Sequence, residues 1–287
     1  FDALFQYFND VNLMGMERSN THRLSGIFDD EYILGSYLLR IYFILLPLFL
    51  YFFELGNKKN LYIYISINLC FCIIIFLSGE RSAFYLFIIT LTLSFLIFKE
   101  LSIKIFFQTI IVLFTAIFVL ILSDSKIHQR MIYDTYDDFF NKKTKKIYFF
   151  TKIHHDHYFS AKLMFRDNFL TGIGPKMFKV ECKKPKYSYF KNRCNNHPHN
   201  YYVQIFTETG FLGGIFIAFL FCIISYNFFV LLVKLNKIEN WNKILAICFL
   251  ILLFPIVPHG NFFNNWIILM NLLPLSLYYH FKYMPKG

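Results

Sequence analysis

Long apolar stretches separated by short polar connections dominate the chain. Seven of them approach the roughly 20 residues that a helix needs to cross a bilayer core, at residues 33–53, 61–78, 82–98, 105–122, 203–233, 244–257 and 266–280. The interval between the fourth and the fifth is the only long polar one. The pattern predicts an all-α polytopic membrane protein with about seven transmembrane helices and one large loop subdomain.

Composition supports this class. Hydrophobic residues make up 56% of the chain and aromatic residues 21%, whereas only 16% are charged, a balance that a soluble domain rarely shows. The sequence begins at Phe1 without an initiator Met, a basic leader or a cleavage site. We interpret it as a fragment whose upstream part is missing.

Lysines in the short connections predict the orientation. They fall on one side of the predicted spans, which the positive-inside rule makes cytoplasmic; they are Lys58, Lys59, Lys99, Lys104, Lys234, Lys237, Lys243, Lys282 and Lys286. The predicted organisation is an outer N-terminal segment (1–32), four transmembrane helices (33–122), a large basic outer loop (123–202), three transmembrane helices (203–281) and a cytoplasmic tail (282–287).

The outer loop supplies most of the net charge of the protein. From Ser123 to Asn200 it holds 16 Lys and Arg against 7 Asp and Glu, while the whole chain has a formal charge of +11. Such an excess attracts anions to the membrane surface. The alternative is a solvated loop that contacts anionic lipid head groups. The loop contains no recognised nucleic-acid motif, so we predict no nucleic-acid partner.

The loop contains an apolar pattern of its own. Between Ile153 and Phe165 the apolar residues recur at helical spacing, which predicts an amphipathic helix lying on the membrane. Gly172, Gly174 and Pro175 should end this region in a turn. The loop is therefore expected to be an ordered unit.

Two cysteines lie in the loop, Cys182 and Cys194. In an oxidising compartment a disulfide is favoured, and closing so short a loop contributes about 3 kcal/mol. The rival interpretation is a metal site formed with His197 and His199, but the Cys-x2-His-x-His spacing is not a usual zinc pattern. The other four cysteines lie in apolar spans and are predicted to be packing residues.

A second histidine group stands at the start of the predicted loop helix, in the run His154, His155, Asp156 and His157. Only residues three or four apart share a helix face, so His154 and His157 should point the same way. A histidine there can donate to or protonate a phosphate oxygen near neutral pH. We predict no metal site and no cofactor.

Arg81 lies in the tight turn between the second and third spans. It is either an interfacial arginine paired with Glu80, or a planar guanidinium that binds a diphosphate through two parallel hydrogen bonds. Arg23 and Arg40 admit the same two interpretations. Arg23 lies in the outer N-terminal segment, and Arg40 lies eight residues into the first span.

The fifth span opens with Glu208 and a group of glycines. Gly210 and Gly214 form a small-xxx-small pattern that lets helices approach closely, and Gly213 lies between them. Ionisable groups at the depth of Glu208 usually face a partner or a water-filled cavity. Glu208 is therefore a candidate for substrate binding and the glycines for packing.

Several motifs resemble those of one known family. His199 and Asn200, followed after nine residues by Gly-Phe-Leu-Gly at 210–213, resemble the signature of the bacterial O-antigen ligase family, which includes O-antigen polymerases. Three further segments resemble the family and occur in the same order along the chain. They are residues 23–26 with 35–36, residues 81–83, and residues 168–178 with their Gly-Ile-Gly-Pro core. The resemblance covers nearly the whole chain.

The resemblance implies a metal-independent, inverting glycosyltransferase of the GT-C type in the bacterial inner membrane. Such an enzyme takes a glycan from undecaprenyl diphosphate at the periplasmic face and transfers it to lipid A core, or, in polymerases, to a second lipid-linked glycan. Arg81 matches the membrane-turn arginine of the family and His199 its loop histidine near the acceptor. These two are the predicted catalytic residues, His199 as general base.

The remaining candidates complete the predicted substrate site. They are Arg23, Arg40, His157, Arg166, His197, Asn200 and Glu208, with membrane lipids as further partners. His157 stands where many family members place an arginine, and Arg166 is the nearest loop arginine, so the second diphosphate ligand stays open. We expect His197 to face away from His199. A transporter of the same lipid is the alternative class, but it should carry its ionisable residues near the midplane.

Overall fold

The computed structural model describes residues 1–18, 23–29, 31–98, 101–141, 146–147, 150–187, 194–233 and 240–283. These residues are helical apart from short turns and one small hairpin. The α-helices are α1 (Asp2–Asn9), α2 (Leu34–Phe52), α3 (Lys58–Leu77), α4 (Arg81–Ile97), α5 (Ile103–Ser123), α6 (Ser125–His128), α7 (Asp134–Phe139), α8 (Lys152–Asp167), α9 (Phe178–Glu181), α10 (Tyr201–Val233), α11 (Asn240–Leu252) and α12 (Asn265–Tyr283).

Short elements connect these helices. Gly26–Phe28 and Pro185–Tyr187 form 3-10 turns, and Gln129–Tyr133 forms a π-helical turn between α6 and α7. Strand β1 (Phe140–Asn141) pairs antiparallel with β2 (Lys146–Ile147). The long loop predicted between the fourth and fifth spans thus contains several helices.

The predicted all-helical membrane fold is confirmed. A helix lies in each of the seven apolar stretches, although α11 ends at Leu252, before the end of the stretch predicted at 244–257; the helices are α2, α3, α4, α5, α10, α11 and α12. Four helices of the described chain are long and apolar enough to cross a membrane by length and composition, and they lie at Leu34–Phe52, Lys58–Leu77, Ile103–Ser123 and Tyr201–Val230. Seven crossings therefore stay a prediction. So does the orientation, since Lys99, Lys234, Lys237 and Lys286 lie outside the described residues.

Polar side chains determine where several helices begin. The Asn57 side chain accepts a hydrogen bond from the backbone N–H of Lys59 (2.9 Å) at the start of α3. Ser102 plays the same part for α5 and Thr151 for α8. Such caps satisfy N–H groups that have no partner within the helix. The start of α8 one residue before Ile153 confirms the helix predicted in the loop.

The chain divides into two compact units. The first comprises Phe1–Tyr136, Leu231–Ile251 and Pro274–Gly287, and the second comprises Asp137–Val230 and Leu252–Leu273. The start of the predicted outer loop, up to Tyr136, therefore belongs to the first unit. The boundary does not follow the predicted division at residue 123.

Helices α2, α3 and α4 pack together in the first unit. Tyr42 of α2 is fully buried, and its hydroxyl donates to the Asn68 side chain of α3 at 2.6 Å. Its ring lies 4.8 Å from that of Phe87 in α4. A buried tyrosine needs such a polar partner because an unpaired hydroxyl in an apolar interior is costly. The contacts link three of the predicted spans.

The second unit has a small core of its own under α8 and α9. It contains Ala161, Met164, Phe178, Cys182 and Tyr187, all buried. Cys182 forms a disulfide with Cys194, and their Cα atoms lie 5.2 Å apart. The predicted disulfide is confirmed. It joins this core to the segment that carries His197 and His199.

The apolar stretch predicted at 203–233 is not one continuous helix. Gly210 interrupts α10 with φ 67° and ψ −168°, a conformation that is essentially restricted to glycine. Residues 169–174 run alongside the break and satisfy the backbone groups that it frees. The bonds are Phe211 N–H to Phe169 O (2.7 Å), Leu212 N–H to Leu170 O (3.2 Å), Ile173 N–H to Thr207 O (3.1 Å) and Gly174 N–H to Glu208 O (2.9 Å).

This break changes the role of the glycine pattern. A Cβ atom on Gly210 would collide with the backbone of Leu170 and Gly172. A Cβ on Gly213 or Gly214 would meet the side chains of Thr209 and Phe206, which belong to the same helix before the break. The glycines therefore lie where α10 packs on itself and on residues 169–174, and their packing against a neighbouring helix stays a prediction.

Candidate functional site

Three arginines gather at the turn between α3 and α4 in the first unit. Gly79 has φ +70°, and its backbone lies against the side chains of Arg23 and Arg130. Arg130 Nε donates to the Gly79 carbonyl at 3.2 Å. Arg81 begins α4 two residues later, and both Arg81 and Arg130 act on Arg23 through their charge. We call Arg23, Arg81 and Arg130 the arginine cluster.

Neighbouring groups hold the three guanidinium groups in place. Arg23 Nη2 donates to the Tyr32 carbonyl at 2.6 Å, and the guanidinium lies over the Tyr32 ring, 5.0 Å from its centroid. Arg81 Nη1 donates to Thr135 Oγ1 at 3.2 Å. Arg130 lies 3.6 Å from the Asp134 carboxylate. Donors fixed in this way lose little freedom when they bind an anion.

Glu80 has a different role from the one considered for it. Its carboxylate accepts hydrogen bonds from the backbone N–H groups of Gly35 (2.7 Å) and Ser36 (3.2 Å) at the start of α2. It also lies 3.8 Å from Arg23 Nη2. A carboxylate at a helix N-terminus is stabilised by the helix dipole. Glu80 therefore joins α2 to the turn that carries the arginine cluster.

The charge of the cluster survives its burial. The pKa of Arg23 is lowered to about 10, chiefly by burial and also by the charges of Arg130 and Arg81, while the charge of Glu80 opposes the shift. A pKa near that value keeps the guanidinium charged at neutral pH. The mutual repulsion of three cations is relieved by a bound anion, and planar guanidinium groups match a diphosphate well.

Arg130 was not among the residues predicted from the sequence. It lies in the π-helical turn Gln129–Tyr133, which follows α5 and α6. No periodic pattern marks such a turn, although π-helical turns often occur at functional sites. The available signal was its position just beyond a predicted span on the same predicted side as Arg81.

A group of histidines lies in the second unit. The ring of His199 lies 5.5 Å from those of His154 and His157 and 4.2 Å from that of His197, between centroids. We call these four the histidine cluster. His154 and His157 both approach His199 from α8, which confirms that they share a face.

The expectation that His197 faces away from His199 is wrong. His199 has φ 60°, in the left-handed region, so the chain reverses at this residue and brings the two rings together. The residues around His259 stabilise the reversal. The His259 N–H donates to the His199 carbonyl at 2.8 Å, and the His259 carbonyl lies 3.1 Å from His197 Nε2. His259 was not predicted as part of the site.

Three histidines of this cluster have lowered pKa values, which favours their neutral form. The pKa of His199 is lowered to about 3, chiefly by burial and also by the charges of His197, His154 and His157. Burial also lowers the pKa of His197 to about 4, against the opposing effect of the His259 backbone. The pKa of His157 falls for the same reason, opposed by Asp156 and the Cys194 backbone. A neutral imidazole can accept a proton, which an imidazolium cannot.

Asn200 and Glu208 lie in the scaffold of the second unit. Asn200 Oδ1 accepts from the Val203 N–H at 3.1 Å, which caps α10, while Nδ2 donates to the Pro255 carbonyl at 2.6 Å. The fully buried Glu208 carboxylate accepts from three donors: Lys176 N–H (2.8 Å), Phe178 N–H (3.2 Å) and Gln204 Nε2 (3.2 Å). These contacts give both residues a structural role, and the substrate binding expected for them stays a prediction.

Two of the predicted arginines lie in other surroundings. Arg40 Nη1 donates to the Ser36 carbonyl within α2 at 2.8 Å. The Arg166 side chain is 75% exposed, and its Nε lies 3.8 Å from the Asp167 carboxylate. Within the described part of the chain, no group of three or more His, Cys, Asp or Glu residues is placed to hold a metal ion.

The fold and these clusters define a polytopic membrane protein that has partly buried guanidinium groups in one unit and imidazoles with lowered pKa values in the other. The family model described as O-antigen ligase matches residues 66–218, more than half of the chain, including Arg81, Arg130 and His199. The chain therefore belongs to the O-antigen ligase family, whose members are glycosyltransferase-like enzymes. No curated protein and no solved structure matches it.

Proposed function

We propose that this protein transfers a glycan from undecaprenyl diphosphate to lipid A core at the periplasmic face of the bacterial inner membrane. The observation that carries the proposal is the arginine cluster, where the side chains of Arg23 and Arg130 lie against Gly79 and Arg81 acts on Arg23 through its charge. A lipid-linked diphosphate is the anion that membership of this family points to. The basic loop would concentrate such anions at the membrane surface.

The arginine cluster would stabilise the leaving group. As the bond between the anomeric carbon and the diphosphate breaks, negative charge grows on the phosphate oxygens. Guanidinium groups fixed in advance by Tyr32, Thr135 and Asp134 would stabilise that charge without first reorganising. No metal ion is needed for this step, because the fixed cations supply the electrostatic stabilisation.

His199 would act as the general base. Its neutral imidazole takes the proton of the acceptor hydroxyl while the acceptor oxygen bonds to the anomeric carbon. The diphosphate leaves with the electron pair of the broken bond. A single displacement of this kind inverts the configuration at the anomeric carbon. The lowered pKa of His199 leaves its imidazole unprotonated at neutral pH, which is the form that a general base requires, and it also makes the imidazole a weaker base.

The test uses purified full-length protein in detergent or nanodiscs with an undecaprenyl-diphosphate-linked glycan. One reaction contains lipid A core, and a second contains only further lipid-linked glycan. We expect lipid A core to be extended, and Arg81→Ala to lose this activity together with donor binding. Extension of the lipid-linked glycan alone would identify a polymerase. Donor binding and flipping without a product in either reaction would identify a transporter.

A further inference from the structure

Asn195 contacts the ring nitrogen of His199 that matters for base catalysis. Its side-chain oxygen accepts a hydrogen bond from the backbone N–H of Asn196 at 2.7 Å. The other end of the amide, Nδ2, therefore faces His199 and lies 2.8 Å from Nε2. An amide nitrogen can only donate, so Nε2 must be the acceptor. The neutral ring consequently carries its proton on Nδ1.

This geometry assigns the proton-accepting atom. A neutral imidazole has one nitrogen with a free lone pair, and in His199 that nitrogen is Nε2. Its lone pair is already engaged by an N–H donor. The hydroxyl of an incoming acceptor is also a donor and needs the same lone pair. The Asn195 amide and the acceptor hydroxyl cannot both donate to the lone pair of Nε2 at the same time.

We propose that Asn195 occupies the position of the acceptor hydroxyl at His199 Nε2 and is displaced by that hydroxyl when the acceptor binds. The proposal rests on the proposed function of His199 as general base. It identifies the acceptor subsite as the space now filled by the Asn195 amide, and its ligand as a sugar hydroxyl.

The surroundings of Asn195 allow the side chain to leave while the backbone stays. Asn195 is exposed, so its amide can exchange the bond to His199 for bonds to water. The preceding residue, Cys194, is anchored by the disulfide to Cys182. His199 itself is held by the His259 N–H on its carbonyl. Rotation of one exposed side chain is therefore sufficient to uncover the base.

The exchange conserves the proton count. In the free enzyme the Asn195 N–H donates to Nε2. The acceptor O–H takes over this bond, and its proton moves to Nε2 as the acceptor oxygen bonds to the anomeric carbon. The bond from that carbon to the diphosphate breaks, and the diphosphate leaves. The imidazolium formed then releases its proton to solvent.

The first test measures steady-state kinetics of Asn195→Ala with lipid A core as the acceptor. Removing the competing donor should lower the acceptor KM about three- to tenfold, the scale of one net hydrogen bond, and leave the donor KM unchanged. Asn196→Ala is the matched control, because this neighbouring side chain is exposed and its backbone N–H is retained. An acceptor KM that stays the same or rises in Asn195→Ala overturns the proposal.

The second test uses Asn195→Asp and the pH dependence of the transfer rate. Among the described residues, the titratable groups that face His199 are His154 and His157 of α8 and His197, with Asp156 next to His157 and the backbone of His259 on the other side. A carboxylate in place of the donor amide stabilises the imidazolium, so the acid limb should move to higher pH. A purely structural substitution would not move it.

The outcomes separate this proposal from the function on which it rests. If His199→Ala remains active, His199 is not the base and the proposed function fails. If His199→Ala is inactive but the acid limb of Asn195→Asp does not move, only the role of Asn195 fails. Thermal melting of both Asn195 variants confirms that each is folded before its kinetics are compared.

Discussion

The arginine cluster and the histidine cluster respond to the same physical effect in opposite ways. Burial lowers the pKa of Arg23 to about 10 and that of His199 to about 3. Arg23 stays charged at neutral pH because the ordinary pKa of arginine is very high, whereas His199 becomes neutral. Burial thus yields a fixed cation in one unit and a free base in the other.

The two clusters also differ in how they are held. Hydrogen bonds and ion pairs orient the guanidinium groups, as between Arg130 and Asp134. The imidazoles contact one another as well as hydrogen-bond partners such as Asn195, and the disulfide and the His259 segment hold the chain around them. Substitutions in one cluster should therefore affect donor binding, and those in the other should affect the rate of transfer.

The largest expected effect separates chemistry from binding. His199→Ala should lower the rate of glycan transfer about 10²- to 10⁴-fold, since the general base is lost, while affinity for the donor lipid stays within about twofold of wild type. The control is His155→Ala, which removes an exposed histidine on α8. Transfer assays and donor-binding titrations provide the two readouts. An active His199→Ala protein would contradict the assignment of the general base to the histidine cluster.

The next effect tests the planar geometry at Arg81. Arg81→Lys keeps the charge but loses the paired donors, so transfer should fall about 10²- to 10³-fold, the cost of a missing transition-state donor. Arg166→Lys makes the same exchange at an exposed position and should have little effect. Membrane levels of both variants are compared by immunoblot. Full activity of Arg81→Lys would show that the residue only anchors the helix at the interface.

Removal of the disulfide should weaken the second unit alone. Cys182→Ser should lower stability by about 3 kcal/mol on the chain-entropy estimate and slow transfer, while donor binding persists. Thermal melting with and without reductant measures the loss, and peptide mass spectrometry verifies the bridge. Cys70→Ser is the control, because it changes an exposed free cysteine and leaves the disulfide intact. Reductant should still lower the melting temperature of this variant. Recovery of Cys182 and Cys194 as free thiols would contradict the bridge.

A smaller effect tests whether Arg130 belongs to the donor site. Arg130→Lys should weaken donor binding about tenfold, the scale of one hydrogen bond to a charged group, with the rate at saturating donor less affected. The measurement is a titration with the undecaprenyl-diphosphate-linked glycan. Wild-type affinity in this variant would restrict the cluster to Arg23 and Arg81.

The smallest effect is on pH dependence. Because the pKa of His199 is lowered to about 3, the base remains neutral as pH falls, and the transfer rate should stay nearly constant from about pH 8 to about pH 5. Unfolded histidine protonates near pH 6.5, so stability should decline below that pH. Rate profiles and melting curves measured together separate the two effects. A rate that halves near pH 6.5 would show that His199 titrates normally.

The sequence was sufficient where the evidence is local. Apolar length predicted the helices, three-residue spacing placed His154 and His157 on one face, and the two loop cysteines predicted their disulfide. The sequence did not predict the break at Gly210, which interrupts an apolar stretch that is compatible with one continuous helix. The glycine adopts a conformation that only the neighbouring backbone of residues 169–174 makes favourable, and this partner lies more than thirty positions away.

The sequence by itself determined the class of this protein, its apolar helices and its Arg81 and His199 motifs. Only the tertiary structure decided that Arg130 joins Arg23 over Gly79, that Asn195 engages His199 and that Glu208 serves the scaffold. The reason is physical. Periodicity and composition act between residues near in the chain, whereas hydrogen-bond partners and burial depend on residues that are distant in sequence and meet only after folding.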